Sequence, residues 1–410
     1  MSPTQRMILM AYAALVAVWL VRHLAVAWLF RQFHYLSPSS PKFLPADQPL
    51  VSVVIPAKDE EANLAGCVQS VSAQSYRNLE IVVVDDRSTD RTGEVARTLA
   101  AVDPRIRVLS IEALPDGWTG KNHAMQEACK HVRGEWLWMI DADTRHHPDA
   151  LAIVLEYTQS QKAALTSIMP EQLCETFWEK VVHPLQSIVL MRSFSPLDVN
   201  NDRKKRGFAN GQFILMKRAA FDQVGGYAPV RDRLLEDIAL SQKYKDAGLP
   251  IRMAIGTQIS STRMYTGLKS LCRGWARILY DGLGRKPLPL VERIVEPLVF
   301  SQSGDLALLV AIGLLIAGSA TSFALILLAL SLIHQVLKAS LLWKMYRLSS
   351  PTTAHYSLLY PVAGLISAWI SLRAIEMCLT GRVTWRGTSY KGKPTSSNAK
   401  PSTGHSSAES

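Results

Sequence analysis

The chain has 410 residues, 48% hydrophobic and 19% charged, with a formal net charge of +11; that length holds one large or two ordinary domains. Its five cysteines (Cys67, Cys129, Cys174, Cys272 and Cys378) lie far apart with no CxxC pair, which indicates neither a zinc site nor a disulfide framework and fits a reducing compartment. The positive balance comes without a recognisable nucleic-acid module, so no nucleic acid is expected as a partner and anionic lipid is the simpler account.

Residues Met7 to Phe30 are apolar except for Arg22 and His23, enough for a spanning helix, which needs about 20 such residues. No short apolar core with a small-residue cleavage site appears, so an anchor at residues 1–32 is expected rather than a removed signal. A Pro/Ser linker follows, Ser37 to Pro41, then Pro45 and Pro49. From Val51 to about Thr266 strand-like runs (Val51–Ile55, Leu79–Val84, Ile106–Leu109) alternate with helix-like ones (Glu60–Ser72, Thr92–Ala101). That alternation predicts an α/β domain at residues 50–285, a doubly wound, mostly parallel sheet with ligands gathered at the carboxyl ends of its strands. A C-terminal transmembrane region is expected over residues 300–380. The stretch from Asp305 to Leu342 would be about 57 Å long as a helix, too long for one comfortable crossing. It reads as a hairpin turning near Gly318-Ser319, or as one span with an interfacial extension; a further span covers Ser357 to Leu379. The basic loop of Lys338, Lys344 and Arg347, and the basic tail from Arg382 to Lys393, prefer the cytoplasm. The expectation is a multi-pass protein of the cell (inner) membrane with its α/β domain cytoplasmic. Residues 394–410, rich in Ser, Thr and Pro, are expected to be disordered.

The most informative string is Trp136-Leu-Trp-Met-Ile140, running straight into Asp141-Ala142-Asp143. It reads as a buried parallel strand ending in two carboxylates that share one side if the chain stays extended through Ala142. Hard oxygen donors there suit Mg²⁺ or Mn²⁺ bridging a diphosphate. Other strand ends carry Pro56-Ala57-Lys58-Asp59-Glu60-Glu61-Ala62-Asn63, then Asp85-Asp86-Arg87-Ser88, then Gly117-Trp-Thr-Gly-Lys121-Asn122. Each alone could be a capped turn. In this order, from roughly Leu50 to Leu283, they resemble the nucleotide-sugar half of family-2 glycosyltransferases with the GT-A fold. The resemblance implies a nucleotide-sugar donor, UDP-linked, bound by Pro56, Ala57, Glu60, Asp86, Lys121 and Asp141, with Asp143 as the metal ligand of the DXD motif. Carboxylates such as Asp86 and Glu60 can accept from base N–H groups or ribose hydroxyls, and Lys121 offers a compact cation for the diphosphate.

Asn210-Gly-Gln-Phe-Ile-Leu-Met-Lys-Arg218 and Val224-Gly-Gly-Tyr227 resemble the family's acceptor-side strand and glycine turn. In Leu235-Glu236-Asp237-Ile238 the family places its catalytic pair, and Asp237 matches the base that takes the acceptor's proton as the anomeric carbon inverts. Arg273-Gly274-Trp275-Ala276-Arg277 departs from the Gln/Arg-x-x-Arg-Trp of processive and ceramide-type relatives. It is closer to bacterial enzymes that glycosylate carotenoid or hopanoid lipids, as is the tail Gly381 to Tyr390. Arg273 and Arg277 could still bring cations to the donor diphosphate, with Trp275 flooring the acceptor site. The apolar residues Phe177, Trp178, Val181, Val182, Leu185, Ile188 and Val189 recur near helical spacing, as a core helix or one lying in the membrane interface. Arg203 to Arg206 read as a solvated face or a headgroup contact.

The expected activity is inverting transfer of a sugar from a nucleotide-sugar to a hydroxyl or carboxyl of a membrane lipid acceptor. A processive polysaccharide synthase is the alternative within the superfamily, and a non-catalytic membrane scaffold the alternative outside it.

Overall fold

The computed structural model describes residues 1–319, 321–385 and 388–391; the segment 394–410 expected to be disordered, and Arg386 and Gly387 of the tail motif, lie outside the described residues. Helix α1 (Pro3–Arg31) opens with a capping box in which Ser2 and Gln5 satisfy each other's backbone N–H groups. The α/β domain follows as β1 (Val51–Ala57), α2 (Leu64–Ser72), β2 (Leu79–Asp86), α3 (Thr92–Val102), β3 (Ile106–Ile111), α4 (Gly120–Lys130), β4 (Trp136–Met139), β5 (Thr144–His146), α5 (Ala150–Ser160), β6 (Leu165–Met169) and β7 (Glu171–Gln172). It continues with α6 (Phe177–Ser193), α7 (Pro196–Asn200), β8 (Ile214–Lys217), α8 (Arg218–Gln223), α9 (Glu236–Asp246), β9 (Ile251–Ile255), β10 (Ser260–Thr262) and α10 (Leu268–Gly282).

Seven strands form one sheet in the order β3-β2-β1-β4-β8-β6-β9. Every neighbouring pair is parallel except those made by β8, which runs antiparallel to both β4 and β6. This is the mostly parallel α/β sheet that the alternation predicts. The order doubles back between β1 and β4, so the carboxyl ends of those strands flank the crevice where an open sheet takes its ligand. Successive side chains enter opposite faces: Val53, Ile55 and Val83 pack with α2 and α5, while Val54, Val82, Val84 and Met139 pack with α4 and α9. Strands β1, β2 and β4 are buried on both faces, which is why they read as continuous apolar runs.

Among the described residues, four helical stretches are long and apolar enough to cross a membrane: Pro3–Arg31, Pro287–Ile316, Ser322–Ser349 and Pro351–Thr380. The second comprises α11 (Pro287–Glu296), a π turn (Pro297–Gln302) and α12 (Ser303–Ile316). The long apolar stretch resolves as a hairpin: the chain turns at Gly318, whose φ is +75°, and α13 (Ser322–Ser349) starts on a Thr321 cap. The C-terminal helices therefore begin at Pro287, earlier than residue 300, because apolar Leu288, Val291 and Val295 alternate with Glu292, Arg293 and Glu296 and mask the run. After α14 (Tyr360–Thr380), Gly381 closes the helix in the left-handed region. Helices α6, α10, α11, α13 and α14 share an apolar cluster that includes Val181, Leu185, Leu271, Leu279, Leu290, Tyr346 and Ala374. This cluster joins the sheet domain to the apolar helices, so α6 serves as a core helix along that face.

Candidate active site

The loops after β1 and β2 lock into one another. Asp59 Oδ1 accepts from the Thr89 N–H at 2.7 Å, and the Asp59 N–H donates to Ser88 Oγ at 3.2 Å. The Glu60 N–H donates to Thr92 Oγ1 at 2.7 Å, while the Glu61 carboxylate accepts from the Arg91 N–H at 3.1 Å. Asp59 and Arg87 both sit in the left-handed region, with φ of 53° and 56°, a conformation disfavoured for non-glycine residues that these mutual bonds hold in place. Asp86 is buried and accepts from Arg87 Nε at 2.8 Å. Gly120, first residue of α4, lets that carboxylate approach: a Cβ there would lie 2.3 Å from Asp86 Oδ2.

Lys121 stands one residue further along α4 and gathers the charges from three elements. Its Nζ lies 2.6 Å from Asp141 Oδ1 and 2.6 Å from Glu236 Oε1. The next residue, Asn122, secures this meeting by donating to the carbonyls of Val230, Arg231 and Arg233 at 2.8, 3.2 and 3.0 Å, just before α9 begins. Burial works against the Lys121 charge, but Asp141, Glu236 and Asp237 outweigh it and push its pKa up. Asp237 Oδ2 accepts from the Gly211 N–H and Oδ1 from the Ile238 N–H, each at 2.8 Å. Burial first, and the neighbouring Glu236 second, raise the Asp237 pKa above the usual carboxylate range, in the direction that makes a carboxylate a stronger base. Asp141, Ala142 and Asp143 all line the same cavity, while Thr144 is buried behind it. The chain does not stay extended between them: it turns, with Thr144 Oγ1 donating to the Asp141 carbonyl at 2.7 Å, and still delivers both carboxylates to one side.

The cavity has a volume of about 260 Å³ and a wall of two chemistries. Glu60, Asp86, Lys121, Asp141 and Asp143 bring charged side chains to it, and Met169, Leu190, Phe208, Leu234, Met264 and Ile278 bring apolar ones. A directed hydrogen-bond chain runs from Trp275 to Asn210, with Trp275, Gln172, Gln212 and Asn210 in the cavity wall. The Trp275 indole only donates, so His183 Nδ1, at 3.3 Å, accepts. His183 Nε2 then carries the proton and donates to Gln172 Oε1 at 2.8 Å, leaving Gln172 Nε2 to donate to Gln212 Oε1 at 3.3 Å. Asn210 Nδ2 donates to the same Gln212 oxygen at 3.1 Å, and Asn210 Oδ1 accepts from the Gln212 N–H at 3.1 Å. The chain thus fixes the Asn210–Gln212 loop whose Gly211 N–H seats Asp237. Burial pushes the His183 pKa down to about 4, keeping the ring neutral as this bonding requires.

Of the residues singled out in the sequence, Pro56, Ala57, Glu60, Asp86, Lys121, Asp141, Asp143, Glu236, Asp237, Trp275 and Arg277 line this one cavity. Arg273 does not, and its expected role at the donor is corrected here: it lies on the exposed side of α10 with Lys269 one turn before it, whereas Trp275 and Arg277 face inward. Gly274, the departure from the Arg-Trp pattern, packs beneath Tyr265: a Cβ would lie 2.1 Å from the Tyr265 hydroxyl. Sequence reasoning missed His183, Gln172 and Gln212 as site residues. The available signal was one imidazole among Val181, Val182 and Leu185 on an apolar helix face.

Residues 52–225 match the family profile described as Glycosyl transferase family 2. A 4,4'-diaponeurosporenoate glycosyltransferase of Staphylococcus aureus (strain USA300) is 28% identical over 292 residues, 68% of this chain and 75% of its own length. Among solved structures, a mannosyltransferase from Pyrobaculum calidifontis in complex with GDP-Man and Mn²⁺ is 18% identical, with a TM-score of 0.47 over 86% of this chain and 99% of that one. Glucosyl-3-phosphoglycerate synthase from Mycobacterium tuberculosis, in complex with Mn²⁺, UDP and phosphoglyceric acid, is 18% identical with a TM-score of 0.39 over 60% of this chain and 86% of its own. The profile match and the curated relative identify residues 52–225 as a domain of glycosyl transferase family 2, and the chain as a glycosyltransferase.

Proposed function

We propose that the chain transfers a sugar, with inversion, from a UDP-linked donor to a hydroxyl or carboxyl group on a membrane lipid at the cytoplasmic face of the cell membrane. The observation that carries this reading is one cavity lined by both charged and apolar side chains, with Asp237 in its wall beside the ion group of Lys121, Asp141 and Glu236. A nucleotide diphosphate suits the charged side chains, and an apolar acceptor suits the others. The name of the Staphylococcus aureus relative, which specifies a carotenoid acid, supports a lipid acceptor here. The four apolar helices support delivery from a bilayer.

Asp237 takes the proton from the acceptor group as its oxygen attacks the anomeric carbon, and the nucleoside diphosphate leaves from the opposite face. The two backbone N–H donors hold the Asp237 carboxylate in place. Lys121 brings positive charge to the donor and stabilises the departing diphosphate. Glu236 fixes Lys121, and Asp86 and Glu60 accept from the nucleoside. Among the described residues no group of three or more His, Cys, Asp or Glu side chains is arranged to hold a metal ion. The carboxylates of Asp143 and Asp141 on the cavity wall fit Mg²⁺ or Mn²⁺, which are usually held by one or two carboxylates together with substrate phosphates. Bound there, the ion supplies Lewis-acid stabilisation of the leaving group.

The test is mass spectrometry of lipid extracts incubated with purified protein and isotope-labelled UDP-glucose, with and without divalent cations. The reading predicts label in an apolar lipid and loss of transfer on chelation. Label found only in a water-soluble polymer would overturn it.

A further inference from the structure

A second, narrower crevice adjoins the catalytic cavity, and the two share Met169, Gln172 and Ser187 in their walls. We propose that this crevice, between α1, α6 and α13, receives the apolar tail of the acceptor while its reactive head lies at Asp237; the proposal rests on the lipid-acceptor reading above.

Three observations point there. The catalytic cavity, at about 260 Å³, is no larger than the low end of the range that encloses one small ligand, about 300–1,000 Å³. A nucleotide-sugar occupies that space, so a long acceptor must extend outside it. The charged side chains in its wall, Glu60, Asp86, Arg87 and Lys121 among them, disfavour an alkyl or polyene chain because such a chain would strip those groups of water. The crevice has the opposite chemistry, with Phe30, Ile188, Met191, Met345 and Leu348 in its wall.

Its position also fits a substrate that never leaves the bilayer. Phe30 is the penultimate residue of α1, and Met345, Leu348 and Ser349 lie in the last turns of α13. Both helices are among those long and apolar enough to cross a membrane. Their ends meet α6 where the apolar helices give way to the sheet domain, so a tail seated there continues into hydrocarbon. With a volume of about 20 Å³ the crevice is nearly closed. Met169, Met191 and Met345, one from each of three elements, line it with unbranched side chains that can swing aside as a tail enters. Gln172 and Ser187 at the junction mark where the polar head passes into the cavity.

The experiment uses the full chain in lipid vesicles with Met191→Trp and Met345→Trp, which fill the crevice without touching the charged residues. For a long-chain acceptor the proposal predicts a KM raised roughly tenfold, the loss of a few buried methylene contacts. Donor hydrolysis without acceptor, and transfer to a short-chain acceptor with the same head group, should stay at wild-type rates. Long-chain transfer with wild-type KM in both variants overturns the crevice while leaving the lipid reading intact. A wild-type protein that hydrolyses donor but glycosylates no long-chain acceptor overturns the lipid reading itself. Should either variant misfold, photolabelling of the wild-type protein by a long-chain carboxylic acid with a terminal diazirine decides. Label on α6 or the ends of α1 and α13 supports the proposal, and label confined to α14 overturns it.

Discussion

Replacing His183 tests the hydrogen-bond chain behind Asp237 more sharply than replacing a charged residue would. In His183→Leu the Trp275 indole N–H and Gln172 Oε1 lose their partner together. Both belong to buried residues, and each orphaned group costs about 1–3 kcal/mol, so the fold should lose about 2–6 kcal/mol. The loop seating Asp237 loses its anchor as well, and a displacement there of about 1 Å lowers kcat up to roughly a hundredfold. His183→Gln places an amide nitrogen near the position of Nε2, preserves donation to Gln172 and orphans only the indole. It should recover most of kcat while remaining about 1–3 kcal/mol less stable than wild type. Thermal unfolding in detergent and kcat for labelled donor separate the two effects. The same ring gives a pH signature, because burial lowers its pKa from 6.5 to about 4. A neutral buried imidazole contributes full stability above pH 6.5, and that contribution is lost as the pH falls towards 4, about 1.4 kcal/mol per unit. Buried His146, lowered to about 3, prolongs the loss. Wild-type stability, kcat and acid sensitivity in His183→Leu would refute the reasoning.

Asp237→Asn should lower kcat by about 10²–10⁴-fold, the usual contribution of a general base, with donor binding by calorimetry little changed. In wild-type protein the raised pKa of Asp237 places the acid limb of the kcat profile above the ordinary carboxylate range, with activity falling as pH drops through it and the base protonates. Gly120→Ala, whose Cβ would press on Asp86 Oδ2, should raise the donor KM about tenfold or more while a short-chain acceptor's KM stays near wild type. Arg273→Ala should stay within about twofold of wild type in kcat/KM, whereas Arg277→Ala, which removes a buried cation from the cavity wall, should lose at least about tenfold.

The parts legible in the sequence are those with local periodicity. Val51–Ile55 and Leu79–Val84 are buried on both faces, so they appear as unbroken β-branched runs, and a parallel sheet then sends their terminal acidic residues to one edge. Asp86, Lys121 and Asp141 are legible because they lie at the end of β2, in the first turn of α4 and just past β4, all at that edge. What stayed hidden depends on pairings far apart in the chain. The chain from Trp275 through His183 to Gln172 joins three elements and leaves no spacing to read. The orientation of Arg273 followed from which face of α10 packs against α6, not from its distance to Arg277. The loops after β1 and β2 each looked like an ordinary capped turn, whereas their acidic side chains cap one another. The helix beginning at Pro287 was masked because Arg192, from α6, neutralises Glu292 and Glu296 with contacts of 2.6 and 2.8 Å.

The stereochemistry of a single turnover bears most directly on the placement of Asp237 across the sugar from the leaving diphosphate. Starting from α-linked UDP-glucose, proton NMR of the glycolipid product should show only the β anomer, with Asp237→Asn giving none of it. An α-linked product, or a β product formed equally well by Asp237→Asn, would contradict the account.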